Sequence, residues 1–288
     1  MSANKVVVGY DGTPGAEYAL SWALREARRL DASLELVYAL SRAAYVPAAF
    51  MVPGTAIWAD HTAMQAVQDM LAEAADKARV DYPDVPITAM TDRKSAVPAL
   101  RDHAAGTALL AVGSHSHRAI AGLLLGSVAE AVTAHSLSSV VVVREPVLPI
   151  DDRPVVLGLD ESSHADAAIR FAFEQADALR VPLRAVHAWM PPSDPWIGSP
   201  SVDREEVAVG ELNWASRLLD GWRTKVPSVA VTVEPVAGHP YQVLTESTLD
   251  AQLVVVGARS RGGFHSFRLG SVTRHLLHHG SSTIAVIR

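Results

Sequence analysis

Two short constellations in this sequence combine residue types suited to holding a phosphate-bearing ligand. The first is Gly9-Tyr10-Asp11, which returns as Gly158-Leu159-Asp160. Glycine lets a ligand approach the main chain closely, and an aspartate can accept ribose hydroxyls or help hold a divalent metal beside phosphates. Asp11 and Asp160 are therefore the candidate metal contacts, through a nucleotide-bound Mg²⁺ or Mn²⁺. The same residue type also caps helices, and Pro14 suits a first helical turn, so a purely structural role competes. The second constellation is Gly113-Ser114-His115-Ser116, then nine residues, then Gly126-Ser127-Val128. Its copy is Gly257-Ala258-Arg259-Ser260, nine residues, and Gly270-Ser271-Val272. Glycines permit backbone N–H groups to turn inward, and a helix N-terminus adds donors and the positive end of a dipole. Together they make an anion nest. Ser127 and Ser271 could donate hydroxyls and cap their helices. A glycine turn with a serine cap is common in α/β proteins; two copies at matching places point to a site. Ala39 and Ala188, read as ending the second strand of each half, leave room for a flat base.

The elements that must position these residues occur twice. Val6 to Asp11 matches Val155 to Asp160 at a shift of 149 positions. At that shift Ala16, Ala19, Leu20, Ala23, Ala27 and Leu30 meet Ala165, Ala168, Ile169, Ala172, Ala176 and Leu179, the buried stripe of an amphipathic helix. Further on the shift falls to 144, where Leu125 to Val128 meets Leu269 to Val272 and Ser138 to Arg144 meets Ser282 to Arg288. The five-residue change predicts extra chain in the middle of the first half, near Tyr45 to Trp58. The halves are 1–146 and 152–288, joined by the proline-containing Glu145 to Asp151. Short apolar runs near 5–10, 34–40, 86–91, 108–113 and 138–143 alternate with helical stretches near 14–30, 59–81, 95–104 and 127–136. Alternating β and α with near-continuous Val/Leu/Ala strands predicts a doubly wound parallel sheet in each half. Ligands in such sheets bind beyond the strand carboxyl ends, at the switch in strand order.

Composition narrows the function. The 288 residues are 49% hydrophobic and 19% charged, with net charge −6 and no basic stripe of the kind that marks nucleic-acid binding. Cysteine is absent, which excludes thiol catalysis and Cys-ligated zinc and suits a reducing cytoplasm. A strand begins within five residues of the N-terminus, arguing against a signal peptide, and no apolar run approaches the roughly 20 residues needed to cross a bilayer. No Gly-x4-Gly-Lys-Ser/Thr occurs, the first strand–helix turn lacks Gly-x-Gly-x-x-Gly, and Gly113-Ser-His-Ser lacks the closing glycine of a nucleophile elbow. His275 and His279 share a helix face and could chelate zinc, but no third ligand is apparent. Tyr45–Trp58 and Trp189–Pro200 read equally as lids or as long connections.

Gly-x2-Gly-x9-Gly-Ser/Thr behind a strand, with an Asp after the first strand, resembles the ATP-binding type of universal stress protein, as two tandem domains of the sort found in actinobacteria. The resemblance implies a five-stranded parallel sheet in order 3-2-1-4-5 per half, the fold type also called adenine nucleotide alpha hydrolase-like. It also implies ATP held by Gly9, Asp11, Ala39, Gly113, Gly126 and Ser127, and by Gly158, Asp160, Ala188, Gly257, Gly270 and Ser271. The loop residues between, Ser114 to His117 and Ala258 to Arg261, fall in the same site. Fifth strands that face each other within the chain, and chains that form a homodimer, belong to the same resemblance. The sequence departs from the motif at Ser116 and Ser260, where the family has glycine. A serine held at positive φ there costs about 1 kcal/mol. Arg259 and Arg261 carry charge that His115 and His117 supply only when protonated, so the second half is the expected stronger anion binder. The implied role is a nucleotide-responsive regulator of stress adaptation or growth, with a regulatory protein partner; the alternative is a slow ATP-hydrolysing or nucleotide-transferring enzyme. No general base aimed at a γ-phosphate is evident.

Overall fold

The computed structural model describes residues 4–40, 55–114, 125–144, 152–160, 165–190, 204–258 and 269–288. The chain divides into two compact units, Met1–Val143 and Arg144–Arg288. The first contains β1 (Lys5–Gly9), α1 (Pro14–Arg29), β2 (Ser33–Ala39), α2 (Thr55–Asp81), β3 (Ile87–Asp92), α3 (Ala96–Ala104), β4 (Leu109–Gly113), α4 (Ser127–His135) and β5 (Val140–Val143). The second contains β6 (Val155–Gly158), α5 (Ala165–Leu179), β7 (Leu183–Trp189), α6 (Arg204–Lys225), β8 (Val231–Ala237), α7 (Pro240–Ser247), β9 (Leu253–Gly257), α8 (Ser271–His279) and β10 (Thr283–Ile287). This is the α/β alternation expected from the sequence.

Within the first unit the strands lie in the order β3-β2-β1-β4-β5, and within the second β8-β7-β6-β9-β10. Every neighbouring pair in each unit is parallel. Right-handed crossovers in that order put α1 and α2 on one face and α3 and α4 on the other. The inner strands therefore lose both faces to helices, which is why Val6, Val7 and Val8, and again Val155, Val156 and Leu157, are fully buried. Each large apolar side chain so buried stabilises the fold by about 1.5–3 kcal/mol.

The helix stripes also repeat. Ala16, Ala19, Leu20, Ala23 and Ala27 are buried on α1, and Ala168, Ile169, Ala172, Phe173 and Ala176 on α5. Both helices end the same way, with a non-glycine residue at positive φ: Asp31 at 49° and Arg180 at 56°. The following amides reach back, Ala32 N–H to Ala27 C=O at 2.9 Å and Val181 N–H to Ala176 C=O at 3.0 Å. These are Schellman closures built without glycine.

One sequence expectation is sharpened here and one corrected. The extra length of the first half takes the form of helix: α2 starts at Thr55, within the Tyr45 to Trp58 stretch, and has 27 residues against 22 in α6. The five residues extend a helix by about 7 Å, because an insertion that keeps the helical pattern continues i→i−4 bonding. Ala188 does not end its strand: β7 continues to Trp189, which pairs with Ala237. The rest of Tyr45 to Gly54, most of Trp189–Pro200 and the linker Glu145 to Asp151 lie outside the described residues.

Candidate functional site

The sheet switch in the first unit falls between β1 and β4, whose carboxyl ends are Gly9 and Gly113. A cleft of about 220 Å³ opens there. A single buried water needs only about 10–15 Å³, so the space suits a ligand. Gly9, Asp11, Ala39, Gly113, Gly126 and Val128 all line it. Tyr10, Ala16, Val37, Tyr38, Ala96, Leu100, Val112 and Ala129 complete the wall, and motif reasoning missed these. Their signal was in the repeat: Leu100 meets Leu244 at the 144 shift, and a methyl built on Gly9 or on Gly158 would lie 3.0 Å from that leucine.

The first turn is built around Thr13. Its hydroxyl accepts from Ala16 N–H at 3.2 Å and caps α1. Asp11 is therefore not the cap; its Oδ1 accepts from the Thr13 amide at 3.1 Å and the Thr13 hydroxyl at 2.5 Å. Gly12 between them takes φ 75°, the left-handed turn that brings the carboxylate back over the cap. Tyr10 donates its hydroxyl to Glu17. Burial first, then that hydrogen bond and the charges of Glu17, Glu73 and Asp11, push its phenol well above the usual range. It remains a neutral donor and offers no base.

Gly113 has a reason beyond ligand approach. A Cβ there would lie 2.5 Å from the Gly15 carbonyl carbon and 2.6 Å from its oxygen. The glycine is what lets the start of α1 lie against the end of β4. Ser114 is buried, its N–H donating to Val143 C=O at 2.9 Å and its C=O accepting from Gly126 N–H at 2.6 Å. Ala258 repeats both contacts, to Ile287 at 2.8 Å and from Gly270 at 3.3 Å. The two ends of the loop are thus clamped in each unit. His115, Ser116, His117, Arg259, Ser260 and Arg261 lie outside the described residues.

The serine caps are a second correction. Gly126 and Gly270 hold the N-cap positions of α4 and α8 with extended backbone and no side-chain cap hydrogen bond. Ser127 and Ser271 are the first helical residues and are exposed. The chain turns into the helix at the glycine, one residue earlier than a serine cap requires. The second unit otherwise places its candidates alike: Gly158 ends β6, followed by Asp160, Gly257 ends β9, and Val272 is half-buried in the first turn of α8. Thr273 donates its hydroxyl to Gly257 C=O at 3.2 Å, seating that turn on the strand end.

The His275 and His279 rings meet at a tilt of 35°, centroids 4.3 Å apart. Among the described residues no group of three or more His, Cys, Asp or Glu side chains is arranged to hold a metal, and no helix is long and apolar enough to cross a membrane.

The comparisons with known proteins agree with this architecture. The profile described as "Universal stress protein family" matches residues 3–144 and again 153–288. Universal stress protein Rv1996 of Mycobacterium tuberculosis is 30% identical, covering 98% of this chain and 94% of its own. Universal stress protein Rv2623 of the same organism is 32% identical, covering 93% and 90%. The crystal structure of a universal stress protein from Archaeoglobus fulgidus superposes over 100% of this chain and 99% of its own with a TM-score of 0.69 at 16% identity, a likeness of fold. Two family matches spanning nearly the whole length, each on a doubly wound unit with its loop clamped beyond β4 or β9, make this chain a tandem member of the universal stress protein family.

Proposed function

We propose that each half binds an adenine nucleotide, ATP with Mg²⁺, and that occupancy regulates the protein's interactions instead of driving rapid hydrolysis. The observation that carries this reading is the start of α4. Gly126 leaves that helix without a side-chain cap, and Gly126 and Val128 line a cleft shared with Gly9, Asp11 and Gly113. Unmet N–H donors at a helix start are an anion site, whereas α1, which Thr13 caps, is not one. Val37, Ala39, Ala96 and Leu100 supply an apolar wall for a base beside it. The donor set fits the nucleotide. With one carboxylate per site, a Mg²⁺ would be held mainly by the phosphates, Asp11 or Asp160 adding one ligand or an outer contact. Arg259 and Arg261 favour the second half as the stronger site.

Mass spectrometry of nucleotide released from purified, denatured protein tests the reading, followed by titration calorimetry with ATP and Mg²⁺. Retained or bound ATP that survives hours with Mg²⁺ supports it. Val128→Trp, which fills the first cleft, and Val272→Trp at the matching position of α8 should each remove one site while leaving unfolding unchanged. Absence of binding at millimolar ATP overturns it, and turnover abolished by Asp160→Asn with binding intact assigns an enzyme instead.

A further inference from the structure

The seam between α7 and α8 is made of rings in contact, one pair stacked and the others tilted. His239, the N-cap of α7, stacks on Tyr241 with centroids 5.4 Å apart. Tyr241 meets His275 of α8 at 4.9 Å, and His275 meets His279 at 4.3 Å. His278 adds a fifth ring 6.3 Å from His279. The first unit has nothing like it: the positions 144 earlier are Ser95, Val97, Ala131, Ala134 and His135. There His135 donates Nδ1–H to its own helix at Ala131 C=O, 2.7 Å away.

The His275 end of this seam lies one helical turn, about 6 Å along the axis, from the start of α8, where the second nucleotide site is proposed. His275 stands two residues beyond Thr273, whose hydroxyl anchors the first turn of α8 on Gly257. Tyr241 follows Pro240, the first residue of α7, and Leu244 one turn on leans against Gly158. The groups around His275 are Tyr241 from α7, with His239 behind it, and His278 and His279 on its own helix; β10 beneath (Thr283–Ile287) has no charged residue, and Arg274 is exposed. Burial, then His279 and His278, hold the His275 pKa below its ordinary 6.5, and among the described residues no carboxylate contributes. A cation formed on this ring therefore lacks a counter-charge until an anion arrives at the uncapped start of α8.

We propose that His275 is a proton-linked determinant of anion affinity in the second half, so that its protonation on acidification tightens nucleotide binding there. The inference rests on the nucleotide reading above. Linkage fixes its sign: if a bound polyphosphate raises the His275 pKa, protonation must strengthen polyphosphate binding by the same free energy. Because burial and the two neighbouring histidines lower its pKa, the neutral imidazole dominates in the empty protein at neutral pH, and the gain emerges on acidification. The protonated ring faces Tyr241, a cation–π partner that lets the seam hold while it charges.

The test uses the full chain carrying Val128→Trp, which leaves the second cleft as the site observed. ATP with Mg²⁺ is titrated at pH 7.5 and 5.5, with and without His275→Ala, the residue the first half has at this position. Because ATP itself titrates, the readout is the difference His275→Ala makes. About a threefold tightening at pH 5.5 that disappears in His275→Ala is expected. The His275 imidazole resonance should titrate about half a pH unit higher when ATP is bound. An unchanged pH dependence in His275→Ala, or weaker binding of the parent relative to that variant at pH 5.5, overturns the inference while leaving the nucleotide reading standing. No ATP binding at either pH overturns both.

Discussion

The two halves place opposite charges at matching positions of their sheets. Glu35 of β2 lies opposite Val7, and Arg184 of β7 lies opposite Val156, the same register position in each unit. Glu35 is 8% exposed and is paired with Lys5 of β1 and with His103 Nδ1 of α3 at 2.8 Å. His103 Nε2 in turn lies 3.4 Å from Asp92, and Lys94 bonds Asp102 at 3.0 Å beyond it. In the second half Pro154 replaces Lys5, and Arg184 meets Asp250 at 2.6 Å and Glu234 at 3.4 Å. A mostly buried charge must be paired, but the sheet is indifferent to its sign. Positions that reverse charge between repeats are therefore structural. Positions that keep their type, such as the strand-end glycines and Asp11 with Asp160, are where a shared ligand is to be sought.

The sharpest way to break this comparison is at Gly113. Gly113→Ala drives a methyl into the Gly15 backbone and should cost about 3 kcal/mol in urea unfolding. The repeat makes a similar loss the expectation for Gly257→Ala; a neutral result there would mean that the halves pack helix on strand differently.

Next in size, Glu35→Ala strands Lys5 and His103 and should lose about 2–3 kcal/mol. The pH profile sharpens it. Burial raises the Glu35 pKa, but hydrogen bonds from Lys5 and His103 outweigh burial and leave it lowered. The unfolded chain then binds this proton more readily, so the stability is complete above about pH 4.5 and is lost as pH falls through the lower native value. Glu35→Gln should flatten the acid limb of stability against pH; Arg184→Gln should not.

Smaller still, Thr13→Ala removes the α1 cap and should cost about 1 kcal/mol by thermal unfolding. It also removes the hydroxyl bond to Asp11 while the bond from the residue-13 amide stays, so ATP affinity in the first half should change while the second stays fixed. The least effect is a gain: Asp31→Gly and Arg180→Gly relieve positive φ and should each stabilise by about 0.5–1 kcal/mol. Equal gains would confirm that the two closures are energetically equivalent.

By itself the sequence determined the duplication, the alternation of strands and helices, and the edge at which Gly9, Asp11, Gly113 and Gly126 meet. These rest on periodicity and on turns a few residues long, which local chemistry dictates. Even the missed walls, Leu100 and Val37, were present as repeat matches. Tertiary structure alone decided the rest. It gave the α1 cap to Thr13, with Asp11 as its brace, and moved the α4 and α8 caps from serine to glycine. It tied Gly113 to Gly15, joined Glu35 to His103 across 68 residues, and brought Tyr241 against His275. Those outcomes depend on which side chains meet after the chain has crossed the sheet, and no local pattern records such meetings.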